Sequence, residues 1–129
     1  MKSISKELIG ASASPIILSI LRNGDSYGYE IVQKVKEMTN DKIKWREASI
    51  YPVLKKMENS GMIKSYWKVN EDERPRKYYT ILAEGEKQFE KNRHELKILY
   101  SMLGKLWKLS TWKVYDIFFF TILRNSILI

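Results

Sequence analysis

Along the first part of the chain the apolar positions fall at helical spacing. From Ile4 to Arg22, Ile16, Ile17, Ile20 and Leu21 line one stripe, with Pro15 expected as a break or an entry point. Asn23, Gly24, Asp25 and Ser26 stop that helix. Asp25 or Ser26 is placed to cap a second, Tyr27–Met38, in which Ile31, Val32 and Val35 face inward and Lys34, Lys36 and Glu37 face water. The loop TNDKIK leads to a third helical stretch, REASIYPVLKKMENSG, Arg46 to Gly61. Ile50, Val53, Leu54 and Met57 form its buried side, and Gly61 its exit. After Gly61 the period shortens. MIKSYWKV and RKYYTIL are rich in β-branched and aromatic residues and flank the polar NEDERP, which predicts a two-strand hairpin with a charged tip. From Ala83 the helical period returns and persists. Phe89, Leu96 and Leu103 recur every seven residues, with Leu99 and Leu106 in a second row, a seam of about three heptads.

The predicted order is helix, helix, helix, hairpin, long helix. It implies a mainly α fold with a small β-hairpin: a winged helix-turn-helix followed by a long C-terminal dimerisation helix. The expected division is 1–82 for the winged helix-turn-helix, 83–112 for the dimerisation helix and 113–129 for an apolar tail of unassigned role. No stretch of the sequence reaches the roughly 20 apolar residues of a membrane span. The N-terminal stretch lacks a signal-peptide cleavage pattern, so a cytoplasmic protein is expected.

A proline inside the third helix needs a reason, because an interior proline removes a backbone donor and costs about 3 kcal/mol. If Ser49 caps the helix, Pro52 falls in the first turn, where its donor had no partner. If the helix starts near Arg46, the Ala48 carbonyl loses a bond. At 100° per residue Pro52 lies on the outward face in either case, with Ala48, Lys55 and Asn59 and flanked by Ser49, Tyr51 and Lys56. Small residues, hydroxyls and two lysines suit the edges and phosphates of a major groove.

Charge supports that direction. The chain carries 23 Lys and Arg against 15 Asp and Glu, a formal charge of +8. Residues 1–41 are neutral, 42–77 carry +5 and 78–129 carry +3, so the excess gathers around the third helix and hairpin. A polyanion, nucleic acid before membrane, is the expected partner. Arg74, Arg76 and Lys77 open the return strand and can follow phosphates or a minor groove, with the acidic Glu71, Asp72 and Glu73 expected on the outer edge of the loop. Tyr27 begins the second helix, where free backbone donors and a phenol can meet a phosphate, and of Tyr27 and Tyr29 one is expected to pack and the other to be exposed.

Catalytic chemistry has little to work with. There is no Cys, and the one His, His94, sits among Asn92, Arg93 and Glu95 as a surface residue. No phosphate-cradling Gly-rich loop or nucleophile elbow is present. Neither enzyme activity, cofactor nor metal is expected. Trp45 and Trp67 are expected to pack about the wing, whereas Trp107 and Trp112 lie toward the apolar tail, where they either pack in a dimer without any ligand or, as flat aromatics between two subunits, bind a lipophile. An alternative reading is a basic membrane-associated or protein-interaction module working through that tail.

Together SYGYEIVQKVKE, EASIYPVLKKMENSGMIKSYW and RPRKYYTIL closely resemble the PadR family of bacterial transcriptional regulators over about residues 8–106. The single short C-terminal helix is similar to that of its small, multidrug-sensing members. The resemblance implies a homodimer on palindromic double-stranded DNA, repression of efflux or detoxification genes, and relief by a small aromatic or lipophilic effector. Carried over, the DNA-binding residues are Tyr27, Ser49, Tyr51, Pro52, Lys55, Lys56, Arg74, Arg76 and Lys77. The dimer or effector interface comprises Ile17, Ile20, Phe89, Leu96, Leu99, Leu103, Leu106 and Trp107. Two departures stand out: Leu82 and Ala83 replace a capping Thr before the long helix, and Leu96 stands where multidrug-sensing members carry a drug-stacking tryptophan.

Overall fold

The computed structural model describes residues 4–71 and 74–108. The expectations for Asp72, Glu73, Trp112 and the tail 113–129 therefore fall outside the described residues. The elements are α1 (Lys6–Arg22), β1 (Ser26–Tyr27), α2 (Gly28–Met38), α3 (Glu47–Asn59), β2 (Ile63–Lys68), β3 (Arg76–Ile81) and α4 (Ala83–Leu106).

Ser5 caps α1 by accepting the Leu8 N–H, and Glu7 complements the positive helix end. The helix continues through Pro15 instead of breaking there. The carbonyl deprived of a partner is that of Ala11, an exposed residue. Neither Asp25 nor Ser26 caps α2. Tyr27 holds the cap position in extended backbone with no side-chain bond, while the Ser26 hydroxyl donates to Glu30 at 2.6 Å. Thr39 closes α2, donating to the Val35 carbonyl at 2.7 Å and accepting the Ile43 N–H at 3.1 Å.

Helix α3 starts after Arg46, so Ser49 does not cap it and Pro52 is interior. The carbonyl that Pro52 leaves without an N–H belongs to Ala48, an exposed residue. At its other end Gly61, at φ 76°, carries a Schellman exit: Gly61 N–H donates to Glu58 and Met62 N–H to Met57. The Met62 carbonyl then accepts the Leu82 N–H at 2.9 Å, which closes the base of the hairpin. Leu82 and Ala83 provide no hydroxyl cap for α4; Glu84 and Glu86 in its first turn complement the helix dipole.

The expected two-strand hairpin is a three-stranded antiparallel sheet in the order β1-β3-β2. Ser26 pairs with Tyr79 and Tyr27 with Tyr78, while β2 and β3 run in register from Ile63↔Ile81 to Lys68↔Arg76. A two-residue strand is too short to leave a periodic signature in the sequence.

The core gathers Ile17, Leu18 and Leu21 of α1, Ile31 and Val35 of α2, Ile50, Leu54 and Met57 of α3, Ile63 of β2 and Tyr79 of β3. Each large side chain buried there stabilises by about 1.5–3 kcal/mol. Ile17 and Ile20, expected at a subunit interface, are 0% and 5% exposed in the single chain. Both belong to this core, so their burial requires no partner. Trp45 packs against it half-buried, but Trp67, expected to pack about the wing, is 66% exposed.

One compact unit, ending at Arg93, takes in the opening turns of α4. There Arg22 donates to Glu86 at 2.9 Å, lies 3.7 Å from Glu90, and covers the Phe89 ring with its guanidinium at 4.3 Å. Phe89 is thus engaged inside this unit. The second unit contains the rest of α4. Leu96, Leu99, Leu106 and Trp107 are exposed there and Leu103 is half-buried. With Tyr100, Ile98 and Met102, which are also exposed, they form an apolar arc of roughly 200° around the helix, broader than a two-row seam.

Candidate nucleic-acid interface

On α3 the amphipathic pattern resolves as its spacing predicts. Ile50, Leu54 and Met57 are buried, and Ala48, Ser49, Tyr51, Pro52, Lys55, Lys56 and Asn59 are exposed. Arg46, at the cap, adds a cation to this end of the helix. The Ser65 hydroxyl donates to Glu58 at 2.6 Å and ties β2 to the last turn of α3.

The wing cations separate into two kinds. Arg74 is exposed just before β3. Arg76 is half-buried, its guanidinium 4.4 Å from the centre of the Tyr27 ring, and Lys77 is half-buried with its ammonium 5.9 Å from the Tyr79 ring centre. Arg76 therefore braces β3 against β1 as well as contributing charge, whereas the Lys77 contact stays within β3. Tyr27 is the member of its pair that packs, edge-on to Tyr78 at 5.2 Å, while Tyr29 is exposed.

On β3 Tyr79 points into the core, so Arg76, Tyr78 and Thr80 lie on the other face of the sheet, with Lys64, Tyr66 and Lys68 of β2 opposite them. Tyr27, Tyr78 and Tyr66 make a row, the latter two stacked at 5.9 Å, and the Lys68 ammonium lies 5.1 Å from the Tyr78 ring. Lys64 and Lys68, which the alternation Lys64, Tyr66, Lys68 sets on this face of β2, add two cations beside the expected residues.

Two carboxylates are held ionised in this region. The Tyr66 hydroxyl donates to Asp25 at 2.6 Å and, with Thr80, lowers the Asp25 pKa below its ordinary value against a small opposing effect of burial. Burial pushes Glu30 up, but the Ser26 hydroxyl and the Lys34 ammonium, 3.0 Å away, more than offset it, so its pKa falls. Among the described residues no cluster of His, Cys, Asp or Glu can hold a metal ion, and no helix is long and apolar enough to cross a membrane.

Three packed helices, a short strand and a basic hairpin on a common core define a winged helix, the fold of a class of DNA-binding transcriptional regulators. The model of the transcriptional regulator PadR-like family matches residues 17–91, more than half of the chain. The chain belongs to this family, whose members bind DNA and typically dimerise. A transcriptional regulator from Clostridium thermocellum is 34% identical, with a TM-score of 0.72 over 79% of this chain and 96% of that one. A PadR family transcription regulator from Clostridium difficile is 33% identical, with a TM-score of 0.66 over 74% of this chain and 98% of the other. A transcriptional regulator of Escherichia coli, YqjI, is 26% identical over 65% of this chain and 39% of its own length.

Proposed function

We propose that the chain is a cytoplasmic, non-enzymatic repressor that binds a palindromic operator as a homodimer and releases it when a small aromatic or lipophilic effector binds between subunits. The observation that carries the DNA-binding part is the α3 face: Ser49, Pro52, Lys55 and Lys56 are exposed on a helix whose opposite side is anchored by Ile50, Leu54 and Met57. That helix enters the major groove. Ser49 reaches base edges, Lys55 and Lys56 meet phosphates, and Pro52 stiffens the backbone between them. Arg74 extends the contact to flanking phosphates, with Arg76 and Lys77 setting the wing on which it stands.

The exposed apolar arc of α4 supports pairing with a second copy, which brings two recognition helices to successive half-sites. Effector binding at that interface alters the spacing of the two helices and lowers operator affinity. Efflux or detoxification genes are the proposed targets, by likeness to the family's small members. The test is selection of bound fragments from the source genome, followed by mobility-shift titrations at several salt concentrations. Lys55→Ala is expected to weaken binding across all sequences and to reduce the salt slope by about 1, as loss of one phosphate contact does. An unchanged affinity and slope would place the DNA surface elsewhere.

A further inference from the structure

Gly28 is the first residue of α2 and is buried. A Cβ placed on it would lie 2.9 Å from Oη, 3.0 Å from Cζ and 3.1 Å from Cε1 of Tyr51. The edge of the Tyr51 ring therefore occupies the space that the missing side chain leaves. The Tyr51 hydroxyl donates to Glu47 Oε1 at 3.0 Å, one turn back on α3. Burial, and after it the Glu47 carboxylate, raises the phenol above its ordinary pKa.

The first turns of α3 need such a brace. Arg46 gives the helix no side-chain cap, and Pro52 removes the N–H that the Ala48 carbonyl would accept. A phosphate approaching the Tyr51 hydroxyl would also meet the Glu47 carboxylate that already holds it, which disfavours the phenol as a backbone contact.

We propose that Tyr51 is a positioning residue rather than a DNA contact: seated on Gly28, its ring sets the angle at which α3 leaves α2, and thereby the presentation of Ser49, Pro52 and Lys55. The role rests on the DNA-binding reading above. It assigns the Tyr-Gly pair at the start of α2 a task, with Tyr27 bracing the sheet and Gly28 receiving the recognition helix.

The test is a double-mutant cycle read in operator affinity, with the Tyr51 phenol titration followed by NMR of isotope-labelled tyrosine. In Gly28→Ala the clash falls on the far end of a flexible side chain, so the domain stays folded while the ring is pushed off its seat. Affinity is expected to fall about tenfold, and Tyr51→Ala to fall by as much, a size typical of coupled neighbours. Adding Gly28→Ala to Tyr51→Ala should then change nothing further. Tyr51→Phe, which keeps the ring, should bind within about twofold of the parent chain. The Tyr51 phenol should titrate lower in Gly28→Ala than in the parent. Additive effects in the cycle, or a Tyr51→Phe loss as large as that of Lys55→Ala, would overturn the positioning role while leaving DNA binding intact. A parent chain that binds no duplex would overturn both, and the titration would still show whether the ring sits on Gly28.

Discussion

Asp25 and Tyr66 are 41 residues apart in sequence, yet their hydrogen bond joins the loop after α1 to β2. Because the Asp25 pKa is lowered in the folded chain, its contribution is fully present above the ordinary carboxylate value of 3.8 and is lost as pH falls through the lowered one. Tyr66→Phe should therefore unfold more easily near neutral pH, with the difference shrinking below about pH 4 in a series of thermal melts. The effect is small, since both groups are largely exposed and screened by solvent. Core substitutions behave otherwise. Leu54→Ala, at a position with no exposure, should lose about 2–5 kcal/mol by denaturant titration, whereas Trp67→Ala should stay within roughly 0.5 kcal/mol. The sequence distinguishes these sites unevenly. Leu54 declares itself through the spacing of its helix, but Trp67 resembles any other large aromatic on a strand. Burial along its face of β2 fades from Ile63 through Ser65 to Trp67, a gradient that the residue type does not announce. The seat of Tyr51 on Gly28 is equally silent, because a glycine at a helix start is an ordinary residue until a ring from another helix lies over it.

At the scale of elements, helical and extended periods located each helix and both longer strands. What they missed follows from length and from proline. β1 has two residues, so pairing with Tyr78 and Tyr79 reveals it where no pattern does. Pro15 reads as a break or an entry point, yet it lies inside α1, as Pro52 lies inside α3, and in each case the residue whose carbonyl loses its partner is exposed. The stripe on α1 was legible as apolar, but periodicity does not say whether a stripe meets its own domain or another subunit; Ile17 and Ile20 meet their own. Pro52→Ala restores a donor to Ala48 and should stabilise α3, by at most the roughly 3 kcal/mol that separates the two residues in helices, measured by thermal unfolding. Stiffness would be traded for it on the proposed DNA face.

For the whole molecule, charge and apolar surface point to different partners. The basic excess in residues 42–77 suits a polyanion, whereas the exposed leucines of α4 suit a second copy of the chain. Leu99→Glu places a charge in the middle of that arc and should shift the chain to monomer in a sedimentation concentration series, while the winged helix keeps its circular dichroism. A last consequence concerns how such a protein can vary. The hairpin is closed at its base, where the Met62 carbonyl takes the Leu82 N–H and Ile63 pairs with Ile81. Register is thus fixed before the chain reaches the tip. Residues can be gained or lost beyond Lys68 without moving a single core side chain, so the reach of the wing is a property that evolution, or an engineer, can retune independently of the domain that carries it.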